Sequence, residues 1–204
     1  RRTLEILPVS GASVILMGGG QNQGLAAAFG ASALTCLDLE FTLGEGPGAD
    51  VCATGETVLV DDLQSDDGRW PQFSAAAVGL GVRSILALPL KIASTRLGAL
   101  SLYGREIGTV PADLLPDALL VADLITHLVL LRQSEVASES VAWALEASDY
   151  RAVVHQATGM IAAQLDCRVD EALVRLRASA FAAEVPIEET AEAVVRGDLR
   201  FDDP

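Results

Sequence analysis

The last third of this 204-residue chain carries the pattern that most restricts its fold, three short amphipathic segments in succession. In the first, from Tyr150 to Leu165, apolar residues recur at three- and four-residue intervals, the spacing of one buried helical face. Ser148 and Asp149 suit the start of a helix because they accept hydrogen bonds from its free N–H groups. The buried face is predicted to hold Val153, Val154, Ala157, Ile161 and Leu165. The opposite face is predicted to carry Arg151, His155, Thr158 and Gln164.

The next two segments complete a small helical unit. Asp170 is a good N-cap for the second segment, and Val169 is placed to pack back onto it. The third begins at Pro186, which fits only a first turn, and ends at Gly197, a common C-terminal stop. The second is predicted to bury Ala172, Leu173, Leu176, Ala180 and Phe181, and the third Ile187, Ala191, Val194 and Val195.

Gly159 stands inside the first segment, where a glycine costs about 1 kcal/mol relative to alanine. Its presence indicates either close packing of a neighbouring helix or a bound partner. Close packing is the simpler interpretation.

Several stretches of this region resemble an ANTAR domain. They are Arg151, HQATGM at 155–160, EALVRLRASA at 171–180 and PIEETAEAVV at 186–195, and the likeness covers Ser148 to about Leu199. Members of that family bind RNA, typically paired stem-loops in nascent transcripts, and prevent transcription termination. The resemblance therefore implies RNA binding and transcription antitermination.

The same resemblance implies a set of RNA contacts. Guanidinium groups suit RNA because they bind phosphate bidentately and stack on splayed bases. Many family members carry a lysine where this chain has Thr158, and a threonine brings no charge. The implied contacts are Arg151, Thr158, Gly159, Arg175 and Arg177, with His155 and Gln156 beside them. The alternative for the arginines is a solvated helix face.

Charge restricts any RNA contact to a small patch. The formal net charge is −14, and residues 148–204 contain six arginines against eleven acidic residues. Such a surface repels nucleic acid, so binding is expected to be local and sensitive to salt. Most of these acids lie beyond residue 183, which leaves the first two segments to carry the patch.

The first 110 residues are predicted to form short strands separated by turns. β-Branched and aliphatic residues dominate these runs, and glycine clusters punctuate them. Pro47–Thr54 and Pro71–Gly79 fit short helices. The predicted strands are Ala12–Met17, Leu39–Leu43, Thr57–Val60, Arg83–Leu90 and Arg96–Tyr103. The fold class is therefore α+β, with a mainly antiparallel sheet, a connecting helix and a C-terminal three-helix module.

This half resembles a GAF domain, through GEGPGADVCATGETVLVDD at 44–62, RWPQF at 69–73, and SILALPL followed by LGALSLY. The likeness covers about Ile6 to Val129, and the family's first helix is expected before Leu4, so the chain is expected to begin inside or just after it. GAF domains often bind small molecules in a pocket on one face of the sheet. The Asn-Lys-x-Phe-Asp-Glu signature of cyclic-nucleotide-binding members is missing, so the resemblance implies a small-molecule sensor without assigning its ligand.

No motif predicts a cofactor, a metal site or catalysis. The GEGPG segment lacks the Gly-Lys-Ser/Thr end of a phosphate-binding loop, and the acidic turn at 61–67 lacks calcium-loop spacing. Cys36, Cys52 and Cys167 include no Cys-x-x-Cys pair, so buried reduced thiols are expected, with a redox role for Cys52 as the minor alternative. Without the residue spacing of a catalytic triad, we predict a non-enzyme.

A stripe of leucines lies in the segment that connects the GAF-like region to the ANTAR-like region. Its members fall at four- and three-residue steps and pack either on their own sheet or across a dimer. They are Leu120, Leu124, Leu128 and Leu131, and Val136 and Leu145 continue the predicted linker helix or coiled coil. A homodimer places two RNA-binding modules side by side, which suits a paired stem-loop target.

The sequence thus predicts a cytoplasmic sensor–output regulator, similar to actinobacterial-type antitermination regulators. Its domains are a GAF-like sensor at 4–131, a connecting helix or coiled coil at 132–147 and an ANTAR-like RNA-binding domain at 148–201. No stretch resembles a membrane span or a secretory leader. One alternative is a helical module that docks a protein partner without binding RNA. Another is a GAF domain that holds haem. The chain has only two histidines, both in predicted helices, and this disfavours a haem site.

Overall fold

The computed structural model describes residues 9–18, 21–65, 68–108, 114–134, 142–183 and 185–201, with side chains at all of these except 18–26, 132–134 and 142–151. The chain divides into two compact units, residues 1–139 and residues 140–204. A sheet and four helices make up the described part of the first unit, and three helices make up that of the second.

An antiparallel sheet of five strands forms the centre of the first unit. The strands are β1 (Gly11–Gly18), β2 (Gln21–Phe29), β3 (Val58–Val60), β4 (Ser84–Ile92) and β5 (Thr95–Gly104). Their spatial order is β2-β1-β5-β4-β3. The long hairpin of β4 and β5 fixes the central register, with Leu88 opposite Leu100. The predicted α+β class with an antiparallel sheet is confirmed.

Helices cover both faces of the sheet. They are α1 (Ala31–Leu43), α2 (Pro47–Thr54), α3 (Pro71–Gly79) and α4 (Leu115–Ser134). Successive strand residues point to opposite faces, so Leu86 and Leu88 pack towards α4 while Ile85 and Ala87 pack towards α1, α2 and α3. The unit is therefore a three-layer sandwich with an apolar core on each side of the sheet.

Two of the predicted helices have the observed bounds, Pro47–Thr54 and Pro71–Gly79. Proline at the first helical position fixes each start. The prediction of a strand at Leu39–Leu43 is wrong, because these residues form the end of α1. That helix buries residues at helical spacing, namely Ala33, Cys36, Leu37, Glu40 and Phe41. Strand β2 was not predicted, because this edge strand has an Ala- and Gly-containing sequence of low strand propensity.

The leucine stripe does not pack on its own sheet. Helix α4 contacts the sheet through Ala118, Val121 and Ala122, whereas the leucines lie on its outer side. The exposed fractions of Leu120, Leu124, Leu128 and Leu131 are 70%, 47%, 50% and 60%. Val136 lies outside the described residues, and so does the side chain of Leu145.

The second unit is the predicted three-helix module. Its helices are α5 (Ala142–Leu165), α6 (Val169–Ala183) and α7 (Ile187–Arg196). The predicted start of the first helix at Ser148 and Asp149 is wrong, because α5 begins earlier, at Ala142. Gly197, with φ of 84°, ends α7 as predicted. The buried residues come from all three helices and include Val154, Ala157, Ile161, Ala172, Leu176, Ala180, Ile187, Ala191 and Val194.

Two details of α6 differ from the prediction. The helix begins at Val169, which is 54% exposed, so Asp170 is already helical and Val169 does not pack back onto the helix. Phe181 is 64% exposed and therefore lies outside the core. The buried stripe repeats every four residues at Ala172, Leu176 and Ala180, and Phe181 lies about 100° away from the last of these around the helix.

Candidate functional site

One face of α5 is exposed and almost free of bulky side chains. Four of its residues, Ala152, His155, Gln156 and Gly159, repeat at three- and four-residue steps, and all are exposed. Ala163 continues the face one turn further on. Small residues let another molecule approach the helix backbone, while His155 and Gln156 supply hydrogen-bonding groups. Arg151 lies in the same helix, with its side chain outside the described part.

Gly159 occupies an open position on this face. Among the described residues, nothing lies within 4 Å of a Cβ built on it. The prediction that a neighbouring helix packs closely against Gly159 is therefore wrong for the described part of the chain. The other interpretation of this glycine, a bound partner, stays a prediction.

Thr158 does not lie on the exposed face. Its exposed fraction is 2%, and its hydroxyl donates a hydrogen bond to the carbonyl oxygen of Val154 at 2.6 Å. The side chain stands one turn from Val154 and three residues before Ile161, on the buried side of α5. The predicted exposed position of Thr158 is thus wrong, and in this conformation its hydroxyl is not available to a phosphate.

The two arginines of α6 lie in different environments. Arg175 Nη2 donates to Glu171 Oε1 at 2.9 Å, one turn earlier on the helix. Arg177 is half-buried, and burial lowers the pKa of its guanidinium below the usual value. Residues two positions apart are about 200° apart around a helix, so the structure does not bring Arg175 and Arg177 onto one face. Arg175, at the surface, is the better placed to meet a phosphate.

Surface ion pairs also involve other arginines of the second unit. Arg168 Nε donates to Asp170 at 3.0 Å, and Arg196 contacts both Glu192 and Asp198 at 3.0 Å. Exposed pairs of this kind contribute about 0–1 kcal/mol, so a phosphate can replace the carboxylate at little cost. The surface ion pairs of Arg168, Arg175 and Arg196 can therefore be exchanged for contacts with another anion in spite of the unit's acidic composition.

Helix α6 carries an exposed apolar pair that was not predicted from the sequence. Val174 and Phe181 are 60% and 64% exposed and are seven residues apart, which places them on the same side of the helix. Ala178 lies between them and is also exposed. Their exposure could have been predicted from their spacing. Neither residue falls on the four-residue repeat of the buried residues Ala172, Leu176 and Ala180.

The first unit contains a polar cluster in its interior, on the side of the sheet covered by α1 and α2. Glu40 is 1% exposed, and its Oε1 accepts a hydrogen bond from the N–H of Gly48 at 3.0 Å. Nearby, the Ser13 and Tyr103 hydroxyls are hydrogen-bonded at 2.9 Å. No described group within hydrogen-bonding distance satisfies Glu40 Oε2. A sheet-facing cluster of buried polar groups is an unusual feature of an otherwise apolar core.

Burial sets the acidity of this cluster. It raises the pKa of Glu40 to about 8, with a smaller contribution from the charge of Asp50, while N–H groups of α2 oppose the shift. Burial also raises the pKa values of the Cys36 and Cys52 thiols to about 12, with the Glu40 charge as the second cause. Both thiols are reduced and buried as expected, whereas Cys167 is partly exposed. In the described residues, no three His, Cys, Asp or Glu side chains are grouped to hold a metal ion.

Trp70 and Phe73 belong to the core beside this cluster, with exposed fractions of 2% and 0%. The Trp70 indole donates to Asp50 Oδ2 at 3.1 Å, which ties the start of α3 to α2. Glu45 Oε1 accepts the N–H groups of Gln72 and Phe73 and so caps α3. The glycine-rich segment is turn structure, as predicted, since Gly44 and Gly46 have positive φ.

Comparison with protein families agrees with both architectures. Residues 1–126 match the model of the GAF domain family, and residues 144–195 match that of the ANTAR domain. The chain belongs to the GAF family and carries an ANTAR domain. The finer domain boundaries at residues 131 and 147, and the actinobacterial type, stay predictions.

Solved structures support the GAF fold. The GAF domain region of a Geobacter sulfurreducens PCA protein matches with a TM-score of 0.50 and 15% identity over 63% of this chain and 85% of that one. A domain of a protein named as a two-component sensor histidine kinase from Sinorhizobium meliloti 1021 matches with a TM-score of 0.50 and 15% identity, over 66% and 88% of the two chains. No curated protein matches. None of the described helices is both long enough and apolar enough to cross a bilayer.

The two domains define the general role. ANTAR is a known RNA-binding domain of antitermination regulators, and GAF is a sensory domain. The chain therefore joins a sensory domain to an RNA-binding type of domain.

Proposed function

We propose that this protein is a cytoplasmic transcription antitermination regulator, without catalytic activity, whose ANTAR domain binds stem-loops of nascent transcripts. The observation that carries the proposal is the ANTAR match at 144–195, coinciding with the open, small-residue face of α5. The GAF domain responds to a signal, with a small molecule as the expected ligand.

The face of α5 provides the first part of the RNA interface. Gly159 lets the RNA backbone approach the helix, and His155 and Gln156 hydrogen-bond to loop bases. Arg151 and Arg175 contact phosphates, and the pair between Arg175 and Glu171 opens as the phosphate takes the place of the carboxylate. Binding stabilises an RNA hairpin that excludes the overlapping terminator.

RNA binding is tested by titrating the full chain with a tandem stem-loop RNA across a salt series. Arg175→Ala is expected to weaken binding by about 1–3 kcal/mol and to lower the salt slope by about 1. Glu171→Gln breaks the same ion pair but leaves the guanidinium free, so it is expected to keep or raise affinity. Arg151→Ala is expected to behave like Arg175→Ala.

Arg196→Ala is the matched control, since Arg196 also forms surface ion pairs but lies on α7, outside the implied contacts. It is expected to leave affinity nearly unchanged. Equal losses in the Arg175, Arg196 and Arg151 variants would mean that only general charge is involved. No binding at low salt would overturn the proposal.

Antitermination needs its own assay, because RNA binding alone does not establish it. Transcription through a terminator that follows the bound stem-loops is expected to rise when the protein is added. Equal readthrough with and without protein, on an RNA shown to bind, would refute the antitermination role.

We include a homodimer in this proposal, with the exposed leucines of α4 at its interface. An apolar stripe at coiled-coil-like spacing on the outer side of a helix is best stabilised by a second apolar surface. Leu124→Lys is expected to give monomers in light scattering. Leu119→Lys is a close control because Leu119 is 46% exposed against 47% for Leu124 but lies off the stripe. Identical masses for both variants would remove α4 from the interface.

A protein-docking role is the second candidate, and the exposed Val174 and Phe181 on α6 favour it. An exposed apolar pair in a charged helix is typical of a contact with another protein. Val174→Ser with Phe181→Ser is expected to leave RNA affinity unchanged if docking is separate from RNA binding. A retained regulatory effect with the Arg175→Ala variant, lost in the serine variant, would favour docking over RNA binding.

A further inference from the structure

Glu40 connects two helices of the GAF domain from a position inside the core. It lies in the last turn of α1, and its Oε1 accepts the N–H of Gly48 in the first turn of α2 at 3.0 Å. Its other oxygen, Oε2, has no hydrogen-bond partner among the described residues. Buried polar atoms normally have a hydrogen-bond partner, so a buried carboxyl with one unsatisfied oxygen is unusual.

The segment between α1 and α2 closes over this carboxyl. A Cβ on Gly46 would lie 2.5 Å from Glu40 Cγ, and one on Gly48 would lie 2.5 Å from Glu40 Oε2 and 3.1 Å from Ser101 Oγ. Only glycine lets the backbone pass so close to the side chain. Water can therefore reach Oε2 only if the start of α2 moves away from α1.

Burial outweighs the groups that favour a negative charge on Glu40, which among the described residues are the backbone N–H groups of Gly48 and Ala49. The titratable group that acts on Glu40 is Asp50 on α2, whereas the charge of Glu40 acts in turn on Cys36 of its own helix, Cys52 of α2 and Tyr103 of β5. Burial keeps the two thiols and the phenol neutral by raising their pKa values far above neutrality, and Asp50 adds to the shift of Glu40. Arg96 on β5 acts on Cys52 and donates to the carbonyl of Ala53, at the other end of α2.

We propose that Glu40 is a proton-controlled latch of the sensory domain, whose neutral carboxyl holds α2 against α1 and β5 and whose ionisation releases α2. Ionisation places a charge where no cation of the described residues acts on it and where burial outweighs the two N–H groups of α2. The charge is relieved when the segment at Gly46 and Gly48 opens and admits water. The raised pKa of Glu40, about 8, puts this change within the range of cellular pH.

Helix α2 is placed to pass the change on. Val51 and Cys52 pack on the sheet beside Ala87 of β4 and Ala99 of β5, while α4 packs on the other face of the same strands. Loosening of α2 therefore alters the support beneath β4, on which α4 rests. This device works whether or not the second unit binds RNA.

Trp70 reports the position of α2 because its buried indole donates to Asp50 on that helix. The chain contains two tryptophans, so a Trp143→Phe background leaves Trp70 as the only emitter. In the full chain, Trp70 emission is expected to shift to the red as pH rises, with a midpoint above the usual glutamate pKa of 4.5 and no higher than about 8, the pKa of the covered carboxyl. Hydrogen exchange of the α2 amides is expected to rise across the same range, relative to Glu40→Gln at each pH.

Glu40→Gln is expected to abolish the transition, because an amide keeps the shape and the Gly48 hydrogen bond without titrating. Glu45→Gln, the same change five residues further on, is expected to retain it. Carboxyl 13C shifts of the unsubstituted chain give an answer even if Glu40→Gln fails to fold, since one glutamate must titrate above about pH 6. A parallel response of Glu40→Gln and its parent, or no glutamate titrating above about pH 6, would overturn the latch.

Discussion

The GAF domain keeps an ionisable carboxyl inside its core, whereas the ion pairs of the ANTAR domain lie at its surface. Glu40 is 1% exposed, while Glu171 and Glu192 retain more than half of their side-chain exposure within their ion pairs. The buried polar groups described in the ANTAR domain are threonines, of which Thr158 is satisfied by its own helix. A buried acid couples a fold to its surroundings, and surface pairs are easily exchanged for a ligand. The difference suits a sensory domain and a binding domain.

Two helical glycines show the same contrast. Gly48 lies against Glu40 and Ser101, and a Cβ there would meet both, whereas Gly159 faces open space among the described residues. One glycine is needed for packing within the domain. The other has no such contact among the described residues, and the proposed RNA interface would give it a use.

The largest effect is expected from Glu40→Gln on the pH dependence of stability. The folded pKa of about 8 lies above the usual 4.5, so an unfolded chain loses this proton first as pH rises. The GAF domain therefore loses about 1.4 kcal/mol of stability per pH unit between the two pKa values and nothing further from this group above the upper one. Glu40→Gln is expected to remove that slope. Urea unfolding followed by Trp70 emission, at several pH values, measures it.

Glu45→Gln serves as the control for this measurement. Glu45 caps α3 through hydrogen bonds to Gln72 and Phe73, so the substitution alters the same region without touching Glu40. A stability slope unchanged by Glu40→Gln would show that the buried carboxyl is already ionised in the folded protein, and the contrast between the domains would disappear.

Gly48→Ala is expected to destabilise the GAF domain by about 1–3 kcal/mol, because overpacking forces Glu40 or Ser101 to shift. Gly79→Ala is the matched control, since a Cβ on Gly79, at the end of α3, meets nothing within 4 Å. Thermal unfolding of both variants measures the difference. Equal stabilities would mean that α2 adjusts freely, and the close cover over Glu40 would not be a constraint.

The sequence predicted correctly those helices whose start is marked by a residue with a strong conformational preference. Proline at the first helical position gave both α2 and α3 at their observed bounds. The error at Leu39–Leu43 came from reading aliphatic residues as a strand, although Glu40 falls on the helical repeat of α1. Nothing local shows that a glutamate is buried, because the residues that cover it come from α2 and β5.

The ANTAR site shows the same limit at the level of single residues. Spacing predicted the buried Val154, Ala157 and Ile161 correctly. Residue type gave a wrong prediction at two positions. Thr158 was predicted to be exposed because it is polar, and Phe181 to be buried because it is apolar. The angular position of a residue around the helix decides whether it is buried, and Thr158 lies on the same side as Val154 and Ile161. Its hydroxyl is satisfied by a hydrogen bond within the helix.

Gly159→Ala is expected to have opposite effects on stability and on binding. Alanine is favoured over glycine in a helix by about 1 kcal/mol, and the position is open, so the ANTAR domain gains stability. If RNA approaches the helix at this point, affinity for the stem-loop RNA falls. Thermal unfolding followed by circular dichroism measures the change in stability, and RNA titration measures the change in affinity. A more stable variant with unchanged affinity would remove Gly159 from the interface.

Thr158→Val is expected to have the smallest effect. Valine keeps the branched shape, and the Val154 carbonyl retains its helical N–H donor, so stability changes by less than about 1 kcal/mol. RNA affinity is expected to stay constant, because the hydroxyl lies inside the domain with an exposed fraction of 2%. Gln156→Ala, two residues earlier on the exposed face, is the comparison that is expected to lose affinity. A folded Thr158→Val protein that no longer binds RNA would show that α5 turns its buried face towards the ligand, and the division between core and interface in this domain would have to be redrawn.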